Sequence, residues 1–254
     1  MEENIISSAE GRILTVRINR PDKKNALTRA MYVAMTDAIR RADDDVSVRV
    51  ILLTGSDDCF TAGNDIADFA AAKPGETPVA LEFLRALAVA KKPVIAAVAG
   101  VAIGIGTTML LHCDLVYAAE TTRFQLPFVN LGLCPEAGSS LILPMIMGHH
   151  EAADLLFFGE PFGADAARHL GLVNRTLAPH ELIPRTLERA QQLADKPPAA
   201  RRTTKMLLKS GARDAIAKAM DRETTQFAAL LQGPEAKEAM MAFLQRRKPD
   251  FSKF

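Results

Sequence analysis

The feature that most constrains the fold is a run of 20 residues, Val94 to Cys113, without Asp, Glu, Lys or Arg. Its length alone would suffice for a membrane-spanning helix. A Val/Ile-rich stretch opens the run directly after Pro93, and glycines at positions 100, 104 and 106 interrupt it. Such glycines between a β-branched stretch and an apolar one are typical of a buried strand, a tight turn and a buried helix. The run therefore predicts the interior of a globular protein.

Strand-like and helix-like segments alternate through the first half of the chain. Short apolar or alternating runs predict strands, and a capping residue before apolar residues at helical spacing predicts a helix. The expected strands are 4–8, 12–18, Val48–Thr54, Val94–Ala99, Leu115–Ala118 and Leu172–Arg175. The expected helices run from Thr28 to about Asp43, from Thr77 to about Ala90, and over 180–194, 198–210, 213–231 and 234–247. This alternation is typical of an α/β fold.

A proline-rich junction divides the chain. The segment Asp195–Pro198 carries two prolines, and every segment after it has a helical pattern. We expect residues 1–195 to form the main body. The helices of residues 196–254 would have little core of their own, so we expect them to pack on the main body or on another subunit.

Charge and cysteine content exclude several classes of protein. The 31 Lys and Arg against 30 Asp and Glu give a formal charge of +1, which argues against a nucleic-acid partner or a polybasic membrane surface. Three cysteines without a C-x-x-C pair exclude a disulfide scaffold and a zinc ribbon, and we expect no metal site. A reducing, cytoplasmic location is expected. The terminal Ser252-Lys253-Phe254 is close to a peroxisomal address and is interpreted as chance.

Three loops carry residues suited to chemistry, although each has an ordinary structural explanation. Segment 59–66 contains Ala62 and Gly63, and segment 99–107 contains three glycines, so a ligand is able to approach the backbone closely at these points. Their structural alternatives are a strand-to-helix turn and tight helix–strand packing. Segment 131–140 holds one carboxylate, Glu136, in apolar surroundings, where burial would favour proton transfer. Its alternative role is to stabilise the dipole of a helix starting at Ala137.

Other polar residues are assigned structural roles. We interpret His112, in an apolar helix, as a hydrogen-bonded core residue, and Asp65 as a cap for the helix after it. The basic cluster of Arg201, Arg202 and Lys205 is expected on a solvated helix face.

Taken together, the loops match a known pattern. Asn19–Leu27 reads N-R-P-D-K-K-N-A-L, Phe60–Ile66 reads F-T-A-G-N-D-I, and Ala97–Gly106 reads A-V-A-G-V-A-I-G-I-G. Phe158–Asn174 follows, just before the C-terminal helices. In this order and spacing the segments resemble the crotonase (enoyl-CoA hydratase/isomerase) superfamily over nearly the whole chain.

The resemblance implies an α/β fold, a ClpP-like spiral of ββα units in residues 1–195. It implies that residues 196–254 are a helical trimerisation region, giving a homotrimer or a dimer of trimers. The implied substrate is an acyl-CoA thioester, and no separate cofactor is needed because coenzyme A is part of the substrate.

The resemblance also implies roles for particular residues. The backbone N–H groups of Asn64 and Ile105 would form an oxyanion hole for the thioester oxygen. Residues Met109 and Phe128 would line the acyl pocket. Coenzyme A would lie against four further residues: Lys24, Ala26, Ala62 and Ile66.

Two departures from the hydratase pattern bear on the reaction. Hydratases of this superfamily hold water between two glutamates, and the corresponding positions here are Thr108 and Phe128. Glu136 lies eight residues after Phe128, in a segment that resembles the Δ3,Δ2-enoyl-CoA isomerases. We therefore expect an isomerase with Glu136 as the only acid/base.

Three alternatives to this function stay open. One is an enoyl-CoA hydratase that uses Glu136 with water, and another is an isomerase of ring-type acyl-CoA thioesters. The third is a non-catalytic acyl-CoA-binding or RNA-binding protein, which the near-neutral charge and the absence of Trp disfavour.

Overall fold

The computed structural model describes residues 3–65, 68 and 78–254. Its nine strands are β1 Ile5–Glu10, β2 Ile13–Ile18, β3 Val50–Thr54, β4 Val94–Val98, β5 Val101–Ile103, β6 Leu115–Ala119, β7 Arg123–Gln125, β8 Phe162–Gly163 and β9 Arg175–Leu177. The helices in the same residues are α1 Arg29–Asp44, α2 Val79–Val89, α3 Ile105–Thr108, α4 Ser139–Met147, α5 His149–Phe158, α6 Ala164–His169, α7 Pro179–Ala194, α8 Pro198–Ser210, α9 Arg213–Leu231 and α10 Pro234–Leu244. The expected α/β class is confirmed.

A six-stranded sheet in the order β1-β2-β3-β4-β6-β9 forms the centre of the molecule. Strands β1 and β2 pair antiparallel, and all the other neighbours in this sheet are parallel. Every residue of β3 and β4 is buried, because helices cover both faces of a parallel sheet. A second sheet, β5-β7-β8, lies where the chain leaves the ends of β4 and β6.

The two faces of the central sheet have separate apolar cores. Ile51 and Leu53 of β3 face the larger core, which includes the buried residues of α1 and α2. Val50 and Leu52 face a smaller core under α7. Since successive strand residues point to opposite faces, the uninterrupted apolar run of β3 fills both cores.

The structure refines the predicted elements at their ends and adds short strands. Thr28 caps α1 as expected, its side chain accepting the Met31 N–H at 3.4 Å. The three-residue strands β5 and β7 and the two-residue β8 were not predicted, because such short segments have no period to detect. The strand expected at 172–175 lies instead at Arg175–Leu177, and the last helix ends at Leu244. The helix start expected at Thr77 lies outside the described residues.

The run that suggested a membrane span is β4, β5, the short α3 and a turn of 3-10 helix. Among the described residues no helix is long and apolar enough to cross a membrane. The three cysteines are free, and the described part of the chain holds no cluster of His, Cys, Asp and Glu suited to a metal.

The basic cluster on α8 anchors that helix to the main body, so its prediction as a solvated face is wrong for two of its three residues. Arg201 and Lys205 are buried, and only Arg202 is exposed. The Lys205 Nζ lies 2.7 Å from Asp114 Oδ2 and donates to the Lys92 carbonyl at 2.6 Å. Arg201 donates to carbonyls at the end of α7. Buried cations of this kind require such partners.

Replacing Lys205 should therefore destabilise the fold. In Lys205→Ala the Asp114 carboxylate, 22% exposed, loses its buried cation and keeps Lys209 at 3.7 Å, so we expect the free energy of unfolding to fall by about 1–3 kcal/mol. Lys237→Ala, at an exposed position of α10, is the control and should change it by less than about 0.5 kcal/mol. Equal stabilities of the two variants in urea denaturation would contradict this role of Lys205.

Candidate functional site

The loop after β2 is fixed to the loop after β3 by one buried amide and one ion pair. The fully buried Asn25 donates from Nδ2 to the Cys59 carbonyl at 2.7 Å, and its Oδ1 accepts the Arg20 N–H at 2.7 Å. Arg20 also forms an ion pair with Asp65 at 2.7 Å. The Asp65 carboxylate accepts the Asp68 N–H at 3.1 Å, in agreement with its expected capping role. These polar contacts hold the two loops in a single arrangement.

Three of the four residues expected to contact coenzyme A lie together on the surface of these loops. The Ala62 N–H donates to the Lys24 carbonyl at 3.0 Å. Lys24 is exposed and has a left-handed backbone with φ of 49°. Ala26 and Ala62 are half-buried. The fourth residue, Ile66, lies outside the described residues.

Glycines allow the loop after β3 to lie directly on the segment after β4. A Cβ at Gly63 would come within 2.9 Å of the Ile103 carbonyl oxygen, and one at Gly106 within 2.6 Å of Thr61 Cγ2. The two segments also pair through a bridge between Thr61 and Ala102. The sequence needs glycine at both positions because any side chain would push the loops apart.

The backbone N–H groups of Asn64 and Ile105, in these two loops, have no acceptor among residues 3–65, 68 and 78–254. Leu27 donates to Gly63 and accepts from Asp65, so Asn64 between them directs its N–H away from Leu27. Ile105 is the first residue of α3, where N–H groups have no partner within the helix and carry the positive end of its dipole. These are the two groups expected to form the oxyanion hole.

Glu136 has a carboxyl oxygen that is shielded from solvent and unpaired. The residue as a whole is half-buried, but its Oε1 has no hydrogen-bond partner among the described residues, and the same holds for Thr108 Oγ1. The pKa of Glu136 is raised to about 8, first by burial and second by the charge of Glu223, while the nearby Thr108 hydroxyl partly opposes the shift. Buried polar atoms without partners call for a functional explanation.

A turn with unusual backbone angles carries Glu136. Ala137 and Gly138 both have left-handed conformations, with φ of 65° and 72°. His112 Nε2 lies 2.8 Å from the Ala137 carbonyl oxygen, and because that oxygen can only accept, Nε2 must carry the hydrogen. Burial lowers the pKa of His112 to about 4, so it holds the turn as a neutral donor. His112 is the hydrogen-bonded core residue that the sequence predicted.

Glu136 faces both loops that carry the unpaired N–H groups. Thr108, which lies near its carboxyl, ends the helix that begins at Ile105. The buried Tyr32 of α1 has a pKa raised by burial and by the charge of Glu136, and its hydroxyl donates to Asn64 Oδ1 at 2.6 Å. The arrangement therefore combines an acid/base with two donors suited to a developing oxyanion.

The helix-dipole interpretation of Glu136 is wrong. The start of α4 is capped by Glu223 of α9, whose carboxylate accepts the Gly138 N–H at 2.5 Å and the Ser140 N–H at 2.9 Å. Glu136 contributes only its backbone carbonyl there, to Ser139. Its carboxyl is thus not used to stabilise the helix.

The two positions expected in the acyl pocket are buried in different places. Met109 belongs to the large core beneath the sheet, and Phe128 belongs to an apolar cluster with residues of α4, α5 and α10. Their contact with an acyl chain stays a prediction. Phe128 is apolar and only 4% exposed, so this position of the hydratase pattern has no carboxyl to hold a water molecule.

Sequence reasoning missed Tyr32 and Glu223. Tyr32 belongs to the buried face of α1 and has the spacing of a core residue. Glu223 lies in an amphipathic helix distant in sequence from the turn that it caps. No local signal distinguishes either residue, because their roles depend on tertiary contacts.

The buried carboxyl should make stability depend on pH. A folded-state pKa near 8 against an unfolded value near 4.5 means that stability is fully present below pH 4.5 and is lost as the pH rises through 8. Glutamine cannot ionise, so between pH 5 and 9 the unfolding free energy of Glu136→Gln should rise relative to that of the unmodified protein by about 4 kcal/mol. If denaturant titrations give the two proteins the same change in unfolding free energy from pH 5 to 9, the raised pKa of Glu136 is contradicted.

Comparisons with known proteins agree with this geometry. The enoyl-CoA hydratase/isomerase family model matches residues 8–253. A crotonyl-CoA hydratase of Syntrophomonas wolfei is 35% identical over 98% of both chains. The enoyl-CoA delta isomerase 2 of Rattus norvegicus is 32% identical over 96% of this chain, which spans 64% of that relative. A crystal structure of an enoyl-CoA hydratase/isomerase from Pseudoalteromonas atlantica is 40% identical, with a TM-score of 0.94 and coverage of 98% and 100%. The chain has the crotonase fold and belongs to the enoyl-CoA hydratase/isomerase family, whose enzymes act on acyl-CoA thioesters.

Proposed function

We propose that the protein converts 3-enoyl-CoA thioesters into 2-enoyl-CoA thioesters, with Glu136 as the only acid/base. The observation that carries this proposal is a carboxyl with a shielded, unpaired oxygen and a raised pKa, facing the loops in which the Asn64 and Ile105 N–H groups have no acceptor among the described residues. The hydratase positions hold Thr108 and Phe128, which cannot move a proton as a carboxyl does. One base is sufficient for isomerisation, because the proton removed is also the proton returned.

The first step removes a proton from C2. The ionised Glu136 takes it, and the C2–H electron pair moves into the C1–C2 bond while the thioester carbonyl becomes a dienolate oxygen. The N–H groups of Asn64 and Ile105 donate to that oxygen. Each such donor is worth roughly 3–4 kcal/mol in comparable oxyanion holes.

The second step returns the proton to C4. The dienolate collapses to the carbonyl, the double bond forms between C2 and C3, and the former C3–C4 π electrons take the proton from Glu136. Atoms and charge balance, and the carboxylate is regenerated. Exclusion of water around Phe128 favours return to C4 over hydration.

Binding of the coenzyme A part is proposed at the rim formed by Lys24, Ala26 and Ala62, and Ile66 stays an expected contact from the sequence. Ala26 and Ala62 are half-buried and small, which suits close approach of a ligand to their backbone. A cytoplasmic location stays a prediction, consistent with three free cysteines.

Self-association through residues 196–254 is part of the proposal. The C-terminal helices expose large apolar side chains that the main body does not cover: Met206, Leu207, Leu208, Met241, Phe243 and Leu244. Exposed apolar surface of this kind is typical of subunit interfaces. A homotrimer or a dimer of trimers is the assembly we expect.

Hydration of 2-enoyl-CoA is the second candidate, because relatives named as hydratases are among the similar proteins. In this reaction Glu136 would act on water. Measuring hydration of crotonyl-CoA beside isomerisation of 3-hexenoyl-CoA separates the two: we expect the isomerisation to have the higher kcat/KM.

Glu136→Gln should reduce the isomerisation of 3-hexenoyl-CoA by at least about 10²–10⁴-fold, since the amide cannot accept the proton. Binding of a saturated acyl-CoA, measured by calorimetry, should change little because the oxyanion donors are backbone groups. Glu160→Gln, at an exposed position, is the matched control. An active Glu136→Gln enzyme would refute the assignment of the base.

A further inference from the structure

Glu223 is a buried carboxylate that hydrogen bonds, rather than a described cation, hold in place. It is 6% exposed, and within the described residues it forms no ion pair. Its partners are three donors at the start of α4: the Gly138 N–H at 2.5 Å, the Ser140 N–H at 2.9 Å and the Ser140 hydroxyl at 2.5 Å. An anion is stabilised at such a position by charge-assisted hydrogen bonds and by the helix dipole.

Helix α9, which carries Glu223, touches the turn at a second point. A Cβ built at Gly138 would come within 3.2 Å of Ile216 Cγ2, so α9 packs directly against the residue that ends the turn. The Sγ atom of Cys134, which precedes the turn, lies 3.8 Å from the backbone carbonyl oxygen of Glu223. Helix α9 therefore contacts the segment on both sides of Glu136.

We infer that Glu223 is a positioning residue for the proposed base: it locks the turn that carries Glu136 and places a fixed negative charge beside it. This inference rests on the proposed function for its kinetic consequences only. Its structural content, that Glu223 controls the turn and the ionisation of Glu136, stands independently of which reaction is catalysed.

The groups around Glu136 make this charge effective. Tyr32 from α1 and Cys134 from the same loop also face Glu136, and burial raises the pKa of both, so they are uncharged near pH 7. Asp68 faces Tyr32. His112, which holds the turn from below, is neutral. The negative charge of Glu223 disfavours the ionised form of Glu136. That ionised form of Glu136 is the one that removes a proton from the substrate.

The useful consequence is a base that binds its proton strongly enough to carry it. A carboxyl of ordinary acidity would return the C2 proton to C4 readily but would remove it slowly. A pKa near the working pH balances the two steps. A carboxylate on α9 achieves this without touching the substrate.

The test uses Glu223→Gln, which keeps the shape of the side chain and removes its charge. We expect the acidic limb of the pH profile of kcat/KM to move to lower pH by about one unit or more. Titration of the Glu136 carboxyl by ¹³C NMR should move in the same direction, with or without substrate turnover. Asp221→Asn removes an exposed charge from the same helix and should leave both readouts unchanged.

Glu223→Asp separates charge from geometry and serves if the glutamine variant does not fold. It keeps the negative charge but is too short to hold both N–H groups, so kcat should fall roughly 10-fold or more while the titration of Glu136 stays within about half a unit. An aspartate variant with unchanged kcat would overturn the positioning role.

The outcomes distinguish the two proposals. An unmoved Glu136 titration in Glu223→Gln overturns this inference and leaves the isomerase proposal standing. A shifted Glu136 titration in Glu223→Gln, together with an unmodified protein that shows no isomerase activity, supports the inference and refutes the proposed function.

Discussion

The Glu136 carboxyl, which is partly shielded from water and has no ion pair within the described residues, is the constraint on which the rest of the site depends. An ionised group in such a place costs free energy, and the cost is met by protonation near neutral pH. The surrounding structure supports this state: a neutral His112 holds the turn, and the hydrogen-bonding capacity at the start of α4 is used by Glu223. Glu136 Oε1 has no hydrogen-bond partner in the part of the chain that the structure describes.

The second half of the site is built from backbone alone. Gly63 and Gly106 allow two loops to come together so closely that no side chain fits between them, and Asn25 with the Arg20–Asp65 pair fixes one loop from behind. Donors held in this way need no reorganisation when charge develops on a bound oxygen. Because the donors are main-chain groups, asparagine and isoleucine at positions 64 and 105 are both compatible with the role.

The sequence was informative where the chemistry depends on local pattern. The alternation of strands and helices, the Thr28 cap and the glycine-rich loops were readable because each rests on neighbouring residues. Glu136 was found as the single carboxylate of an apolar segment. The cap provided by Glu223, the Tyr32–Asn64 hydrogen bond and the buried Lys205–Asp114 pair were not readable, since their partners meet only in the folded chain. The small second sheet escaped because its strands are too short to show a period.

The measurement that tests the central claim most directly follows the fate of one proton. A 3-enoyl-CoA carrying deuterium at C2 is converted in ordinary water, and the product is analysed by mass spectrometry and NMR. A single shielded carboxyl predicts that a substantial share of the deuterium removed from C2 is found at C4. A product whose C4 hydrogen comes entirely from solvent, at the earliest turnover, would contradict a proton carried by Glu136 alone.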